Sequence, residues 1–501
     1  MDKTFQKLAA CLIRRPKLLI VALTAFTIFL GWRLTHLTFD NSSDIWLNEA
    51  NSAMGRLTDF RDLFGNEDFV YLVLTGRDFF EPKTMALLGQ LEEDLASQLP
   101  FVKSVRWLGN AEFLEGREGE LVVSKYADFV ERGLSKAEIA SKILAENIYL
   151  DLLYDQKGEV IALSADFESY PEGQIDPAAQ IHTALLKILA EPKYQILEVK
   201  AVGPPILTDI YNGLSYSEAL KFLILGIIMM TIILSCLGRS LKAAFVPLAI
   251  ILVSLVWSFG LTELIGYALN VFVILLPVLL CCSTVGVSTH IIDLYRQNAR
   301  LGLPEDEAMI KALGRSGAPC LITALTTAAG FLSFLTSDIP PCRDMGVYAA
   351  IGVMAAYVIS VLLVPMFYAP RKKPLDPTKA KPAPRPRPRD AFDDFLAWLY
   401  RLNIRGRRII IIVFVGVFIL AFYGYARVET ESNTIGMLAK RLPLRQAYDF
   451  VDERLGGAMS VELILDSQEP EGIKEPAFLA KMDKLRLFLE NRPEVIRTIS
   501  L

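Results

Sequence analysis

The sequence has little of what metal, nucleotide or disulfide chemistry requires. Three histidines occur in 501 residues, His36, His182 and His290. The six cysteines, Cys11, Cys236, Cys281, Cys282, Cys320 and Cys342, fall within or beside apolar runs. No Cys/His cluster has metal-ligand spacing and no Gly-x4-Gly-Lys-(Ser/Thr) phosphate loop is present, so neither a metal nor another cofactor is implied, and the chain does not read as an enzyme. The stretch 38–217 contains no cysteine at all, which excludes a disulfide framework there. Basic and acidic residues nearly balance, at 52 and 56. The basic runs sit at the flanks of apolar segments, which excludes a nucleic-acid partner.

What the chain has is apolar length. Hydrophobic residues make up 52% of it, and seven runs are long enough to cross a hydrocarbon core of about 30 Å. They lie at 18–32, 219–237, 243–261, 269–292, 318–335, 345–368 and 409–425. Arg14, Arg15 and Lys17 precede the first run, Arg239 and Lys242 separate the second and third, and Arg296, Arg300, Lys311 and Arg315 separate the fourth and fifth. Alternating spans put all of these on one side, the cytoplasmic one. The N-terminus is then cytoplasmic and the long segment after the first span is exported. No small-residue cleavage site follows that span, so it is an anchor rather than a signal peptide.

The exported segment alternates strand-like stretches (68–76, 102–108, 158–167, 196–203) with helix-like ones (82–99, 178–190), as compact α+β units do. Ser135 and Glu138 have capping-box spacing and open a further helix to about residue 147. The chain also repeats itself. Shifted by 391 residues, Ile13-Arg14 meets Ile404-Arg405, Leu47 meets Leu438, Gly65 meets Gly456, and 70–74 meets 461–465. An internal duplication is expected, its second copy stopping at Leu501 after one strand–helix–strand; the chain is then a half-transporter or part of a longer product. Six regions follow: an amphipathic helix and first span (1–37), the exported domain (38–217), a five-span bundle (218–370), a basic Pro-rich linker (371–390), a second amphipathic helix and span (391–427) and a partial second exported domain (428–501). Phe5, Leu8 and Leu12, and Phe392, Phe395, Leu396, Leu399 and Leu402, form apolar helix faces suited to the membrane interface, and the linker suits anionic headgroups.

This order of elements, with Gly203-Pro204-Pro205-Ile206-Leu207, 238–261 and above all TTAAGFLSFLTSDIPPCRDMGVYAAIGV (326–353), resembles the resistance–nodulation–division (RND) superfamily. The likeness is closest to the MMPL-type lipid exporters, whose bundle is similar to the sterol-sensing domain. It implies an α-helical polytopic bundle with an exported ferredoxin-like α+β porter domain, in a proton-driven pump of hydrophobic or amphiphilic cargo. The family's fourth span carries Gly-(Val/Ile)-x-Asp-Ser-(Val/Ile)-His, followed five residues on by Tyr-Arg. Aligned on His290 and Tyr295-Arg296, this chain has Val287 at the acid; shifted by one, it has Ser288 there.

A carboxylate at mid-membrane costs about 2.5–3.5 kcal/mol on insertion scales and persists where it relays protons. Its absence argues against coupling through this half. The candidate relay groups are Ser288, His290 and Asp293, with Thr326 and Thr327 in the fifth span. Each has a plainer role: His290 hydrogen-bonded to a neighbouring helix, Asp293 paired with Arg296, and Thr323, Thr326, Thr327 and Ser333 bonding across to span four. The expected function is export of a lipid-like substrate, driven by the proton-motive force, from a bacterial inner membrane. The alternative is a non-transporting lipid sensor or scaffold built on a sterol-sensing-like bundle. Expected partners are the hydrophobic substrate, membrane lipids, and either a second half or further copies of the chain.

Overall fold

Glycine at position 203 is what lets a sheet run straight into a membrane helix. Its φ is +140°, and a Cβ there would stand 2.1 Å from the Phe69 carbonyl oxygen, so only glycine fits against the neighbouring strand. The computed structural model describes residues 2–14, 16–42, 44–47, 52–117, 120–146, 148–171, 176–238, 241–368, 391–428, 433–457, 461, 463–492, 495 and 498. The linker expected at 371–390 lies outside them, as do the side chains of Phe392 and Leu396.

The N-terminal helices are α1 (Asp2–Arg14) and α2 (Pro16–Arg33), followed by α3 (Ser52–Phe64). The segment after α3 then forms β1 (Phe69–Thr75), α4 (Pro82–Gln98), β2 (Val102–Arg106), the hairpin β3 (Phe113–Arg117) and β4 (Glu120–Ser124), α5 (Tyr126–Glu131), α6 (Lys136–Leu144), β5 (Ile161–Phe167), α7 (Pro177–Leu189) and β6 (Glu198–Val202). The bundle comprises α8 (Pro204–Gly238), α9 (Leu241–Leu264), α10 (Leu276–Arg300), α11 (Glu305–Leu332) and α12 (Pro340–Tyr368). Last come α13 (Ala391–Arg405), α14 (Arg407–Tyr425), α15 (Thr434–Met437), α16 (Pro443–Arg454) and α17 (Pro476–Glu490).

Seven of these, α2, α8 to α12 and α14, are long and apolar enough to span a bilayer, as many as the sequence predicts. The chain is a polytopic helical membrane protein with a small sheet region. In the four-stranded sheet the order is β2-β5-β1-β6, every neighbouring pair antiparallel, with Leu72 opposite both Leu163 and Ala201. β1 is central and buried from Val70 to Leu74, which is why it reads as a continuous apolar run instead of an alternating one. The capping box forms as expected: Glu138 N–H donates to Ser135 Oγ, and Ser135 N–H donates back to the Glu138 carboxylate. The hairpin β3–β4 and the helix α5 are additions that the sequence pattern did not reveal.

There are two apolar cores, one around the sheet and one in the bundle. α12 is the centre of the bundle: 72% of its apolar window is buried against 0% for α14. Close approach is set by glycine. A Cβ on Gly352 would meet Leu280 and Ser258 at 2.8 Å, and one on Gly317 would meet Phe5 at 2.5 Å. The second contact corrects the expected face of α1. Because Gly314 and Gly317 leave α11 bare, α1 packs on it through Phe5, Ala9 and Leu12, while Leu8 points away.

Two further expectations differ. The stretch 461–465, read as a strand, belongs to no sheet among the described residues. A strand needs partners for its peptide groups; β1 takes them from β5 and β6, whereas 461–465 has no strand beside it among the described residues. The second difference is α16, which packs on β6 and belongs to the sheet's core, though some 240 residues separate the two in sequence.

Candidate functional site

Helix α10 carries the polar groups that interrupt the fourth span, and its 3.6-residue period sorts them onto two opposed stripes. Leu280, Cys281, Thr284, Val287, Ser288 and Ile291 are buried in the bundle. Cys282, Gly286, His290 and Asp293 are exposed on the outer surface. Val287, at the position where the resemblance calls for an acid, is therefore an inward-facing apolar residue of the bundle core.

Ser288 is fully buried, and its hydroxyl donates to the Thr284 carbonyl at 2.8 Å, one turn back on the same helix. The Thr284 hydroxyl beside it is buried without a hydrogen-bond partner among the described residues. His290 was expected to bond a neighbouring helix. Its ring instead leaves the outer stripe, away from the bundle, with no hydrogen bond among the described residues. Asp293 accepts from Gln297 Nε2 at 2.8 Å, where Arg296 was expected to pair with it.

On α11 the small residues Ala312, Ser316, Cys320, Ala324 and Ala328 face inward, and Thr323, Thr326, Gly330 and Ser333 face outward. The threonines do not bridge to α10. Thr326 and Thr327 both donate to the Thr323 carbonyl, at 2.9 and 2.8 Å, and Ser333 donates to Gly330 at 2.7 Å. A hydroxyl in lipid saturates most readily on the carbonyl one turn back, which needs no second helix. Of the five candidates, His290 and Asp293 are exposed on α10 and Thr326 on α11, Thr327 is half-buried, and Ser288 lies inside.

A second polar cluster, at the end of the bundle nearest the sheet domain, escaped the sequence pattern. Asn41 Nδ2 donates to Asn212 Oδ1 at 2.8 Å, and its Oδ1 accepts from Val271 N–H at 2.7 Å. Next to it the buried Asn270 donates to the Pro341 carbonyl at 3.2 Å and accepts from Tyr348 Oη at 3.1 Å. Ser258 on α9 completes the chain by donating to the Tyr348 carbonyl at 3.0 Å. Four spans and the segment leading to the sheet domain are thus tied through one largely buried polar network, in which partial satisfaction would be costly. Arg33 forks onto Glu263 at 2.5 and 2.6 Å beside it, joining α2 to α9. The available signal was two opposite charges, Arg33 and Glu263, at the ends of two apolar runs.

Comparison with known proteins agrees with this architecture. The model of the MMPL family matches residues 121–392. The membrane protein MJ1562 of Methanocaldococcus jannaschii is 20% identical over 383 residues, covering 73% of this chain and 93% of that protein. The membrane protein YdfJ of Bacillus subtilis is 25% identical over 277 residues, covering 52% of this chain and 36% of its own length. The chain thus spans about a third of the Bacillus protein and nearly all of the archaeal one. With the family model matching more than half of its 501 residues, from the sheet domain through the bundle, the chain belongs to the MMPL family.

Proposed function

We propose that the chain is an RND-type transporter that exports a hydrophobic or amphiphilic, lipid-like substrate using the proton-motive force. The observation that carries this reading is the continuity of α8. Its 35 residues, Pro204–Gly238, extend about 52 Å, against a hydrocarbon core of about 30 Å. About 20 Å of the same rigid helix therefore stands outside the membrane, where α7 packs on it and His182 Nδ1 lies 2.5 Å from Asp209 Oδ2. It begins where β6 ends, so a shift within the bundle reaches the sheet without a flexible joint. The strand order β2-β5-β1-β6 supports a ferredoxin-like porter domain, and the proposal keeps the domain limits 38–217 and 218–370.

The outer stripe of α10 and α11 supports a partner. Exposed His290 is costly against lipid, and Gly286, Thr323 and Thr326 are small residues of the kind that line helix contacts, so a second half or another copy of the chain would cover this surface. In this reading the coupling acid belongs to the equivalent span of the second repeat, and 276–297 is mainly structural. The burial of Val287 favours a second reading, a lipid sensor or scaffold that does not transport.

The test is movement of a fluorescent lipid analogue by the complete protein in energised vesicles. Movement abolished by a protonophore, and kept within a few-fold in His290→Ala and Asp293→Asn, fits the transporter. No energised movement leaves the sensor reading, and loss in a well-folded His290→Ala makes the histidine a relay. Placement in a bacterial inner membrane with a cytoplasmic N-terminus predicts that Ser135→Cys reacts with an impermeant thiol reagent in spheroplasts while Thr378→Cys does not.

A further inference from the structure

A groove of about 810 Å³ opens at the end of the sheet where the turn after β1, helix α6, the turn before β5, strand β6 and helix α16 meet. β6 runs from Glu198 in this groove to Val202 at the start of α8, so its five residues carry the groove about 14 Å away from the helix that enters the bundle. Phe80 and Val160, both buried, and the half-buried Ala140, Leu144 and Phe450 supply its apolar lining. α16 is seated in the sheet's core beside it, with Tyr448 Oη accepting from Gly203 N–H at 3.1 Å.

The charges of the lining do not balance. Arg77, Lys157, Lys200 and Arg454 stand against Asp78, Glu159 and Glu198. Asp78 is held by Lys136, which is not part of the lining, and Glu159 is held by Arg454 at 3.0 Å. What remains is Arg77, Lys157 and Lys200 against Glu198, which accepts from the Thr75 hydroxyl at 3.2 Å. Arg77 donates to the neutral Ile196 carbonyl at 3.3 Å, Lys200 Nζ stands 4.6 Å from the centre of the Phe450 ring, and Lys157 has no ion pair among the described residues. α16 sets this excess. Its Arg454 also reaches the buried Asp155 at 2.6 Å. With α16 lifted away, Asp155 and Glu159 lose their cation and join Glu198, so that carboxylates match cations; with α16 seated, positive charge is left over.

We infer that the groove binds a single-chain anionic amphiphile, its acid group held by Arg77, Lys157 and Lys200 and its alkyl chain lying along Phe80, Leu144 and Phe450. The cations alone would suit any anion, and the apolar lining adds the burial of a chain. A headgroup seated in the bilayer does not reach the site, because about 20 Å of α8 and the length of β6 lie between. The ligand is therefore one that has left the membrane. Only the domain with α16 docked presents the site, so by linkage the ligand holds the helix down by the factor 1 + [L]/Kd. The inference makes no use of transport, and the two fail separately.

The test reads the opening of α16 through Ala447→Cys, at a position 5% exposed. The purified protein in phosphatidylcholine nanodiscs is labelled with N-ethylmaleimide, with the unsubstituted protein as background. Decanoate, kept below micelle formation, should slow labelling roughly tenfold at about ten times its dissociation constant, while decanol and acetate change the rate less than about twofold. Lys157→Gln combined with Arg77→Gln, both at exposed turn positions, should reduce the decanoate effect to less than about twofold. Equal slowing by decanol makes the groove an apolar site and overturns the inference. Equal slowing by acetate makes it an anion site without a chain and overturns it too, as does decanoate slowing that survives both substitutions or no slowing at all.

Discussion

Tyr448→Phe isolates the bond that seats α16. The Gly203 N–H it accepts lies in the buried junction between β6 and α8, where the φ of +140° leaves the peptide no other orientation. Removing the hydroxyl keeps the ring in the core but leaves that N–H without its acceptor, at a cost of about 1–3 kcal/mol. If the loss falls on docking, the undocked population rises roughly 5- to 150-fold. A reporter is available at Ala447, which is 5% exposed and small enough for Ala447→Cys to cause little disturbance. Its labelling rate under native conditions measures the opening of α16, and Tyr448→Phe should raise it by that factor while global unfolding shifts by no more than the same energy. A change of less than twofold would refute the assignment of Gly203 and Tyr448 as the seat of the helix.

Other expectations are independent of it. Burial lifts the Asp68 carboxyl to about 6 from an ordinary 3.8, although Tyr170 Oη donates to it at 2.7 Å. With the folded value above the unfolded one, the stabilisation is fully present below about pH 4 and is lost as pH rises through 6, a loss of about 3 kcal/mol. Asp68→Asn, which still accepts from Tyr170, should flatten the melting temperature between pH 4 and 6; an unchanged slope would contradict this. Glu263→Gln deprives the Arg33 fork of its charge and should cost about 1.5–3 kcal/mol in detergent-solubilised protein, read by tryptophan fluorescence. Adding Arg33→Gln should recover part of the loss, and additive losses would show that the pair does not couple α2 to α9. Gly317→Leu should force α1 off α11 at about 1–3 kcal/mol and speed tryptic cleavage at Lys7 several-fold.

The seven spans were legible in the sequence because apolar length is a property of one continuous segment. The strands β1 and β5 were legible too, β1 as a continuous apolar run and β5 by the alternation of 158–167. The capping box at Ser135 was local too, its two bonds lying within four residues. The outward stripe of α10 was half legible: periodicity separates Val287 from His290 and Asp293, but which set faces the bundle depends on α11 and α12. Without those neighbours, His290 was given a hydrogen bond to a partner helix that it does not make among the described residues.

By itself, then, the sequence determined the membrane class, the number of spans and the α+β character of the segment between the first two spans. Only the tertiary structure decided that α1 packs on α11 through Phe5, that the threonines of α11 serve their own helix, and that α16 lies in a core begun far upstream. Those outcomes turn on contacts between distant segments, where a missing Cβ at Gly317 or a single hydroxyl at Tyr448 selects one neighbour over lipid or water. Such selection is a difference between alternative packings, and no single stretch of sequence contains both sides of it.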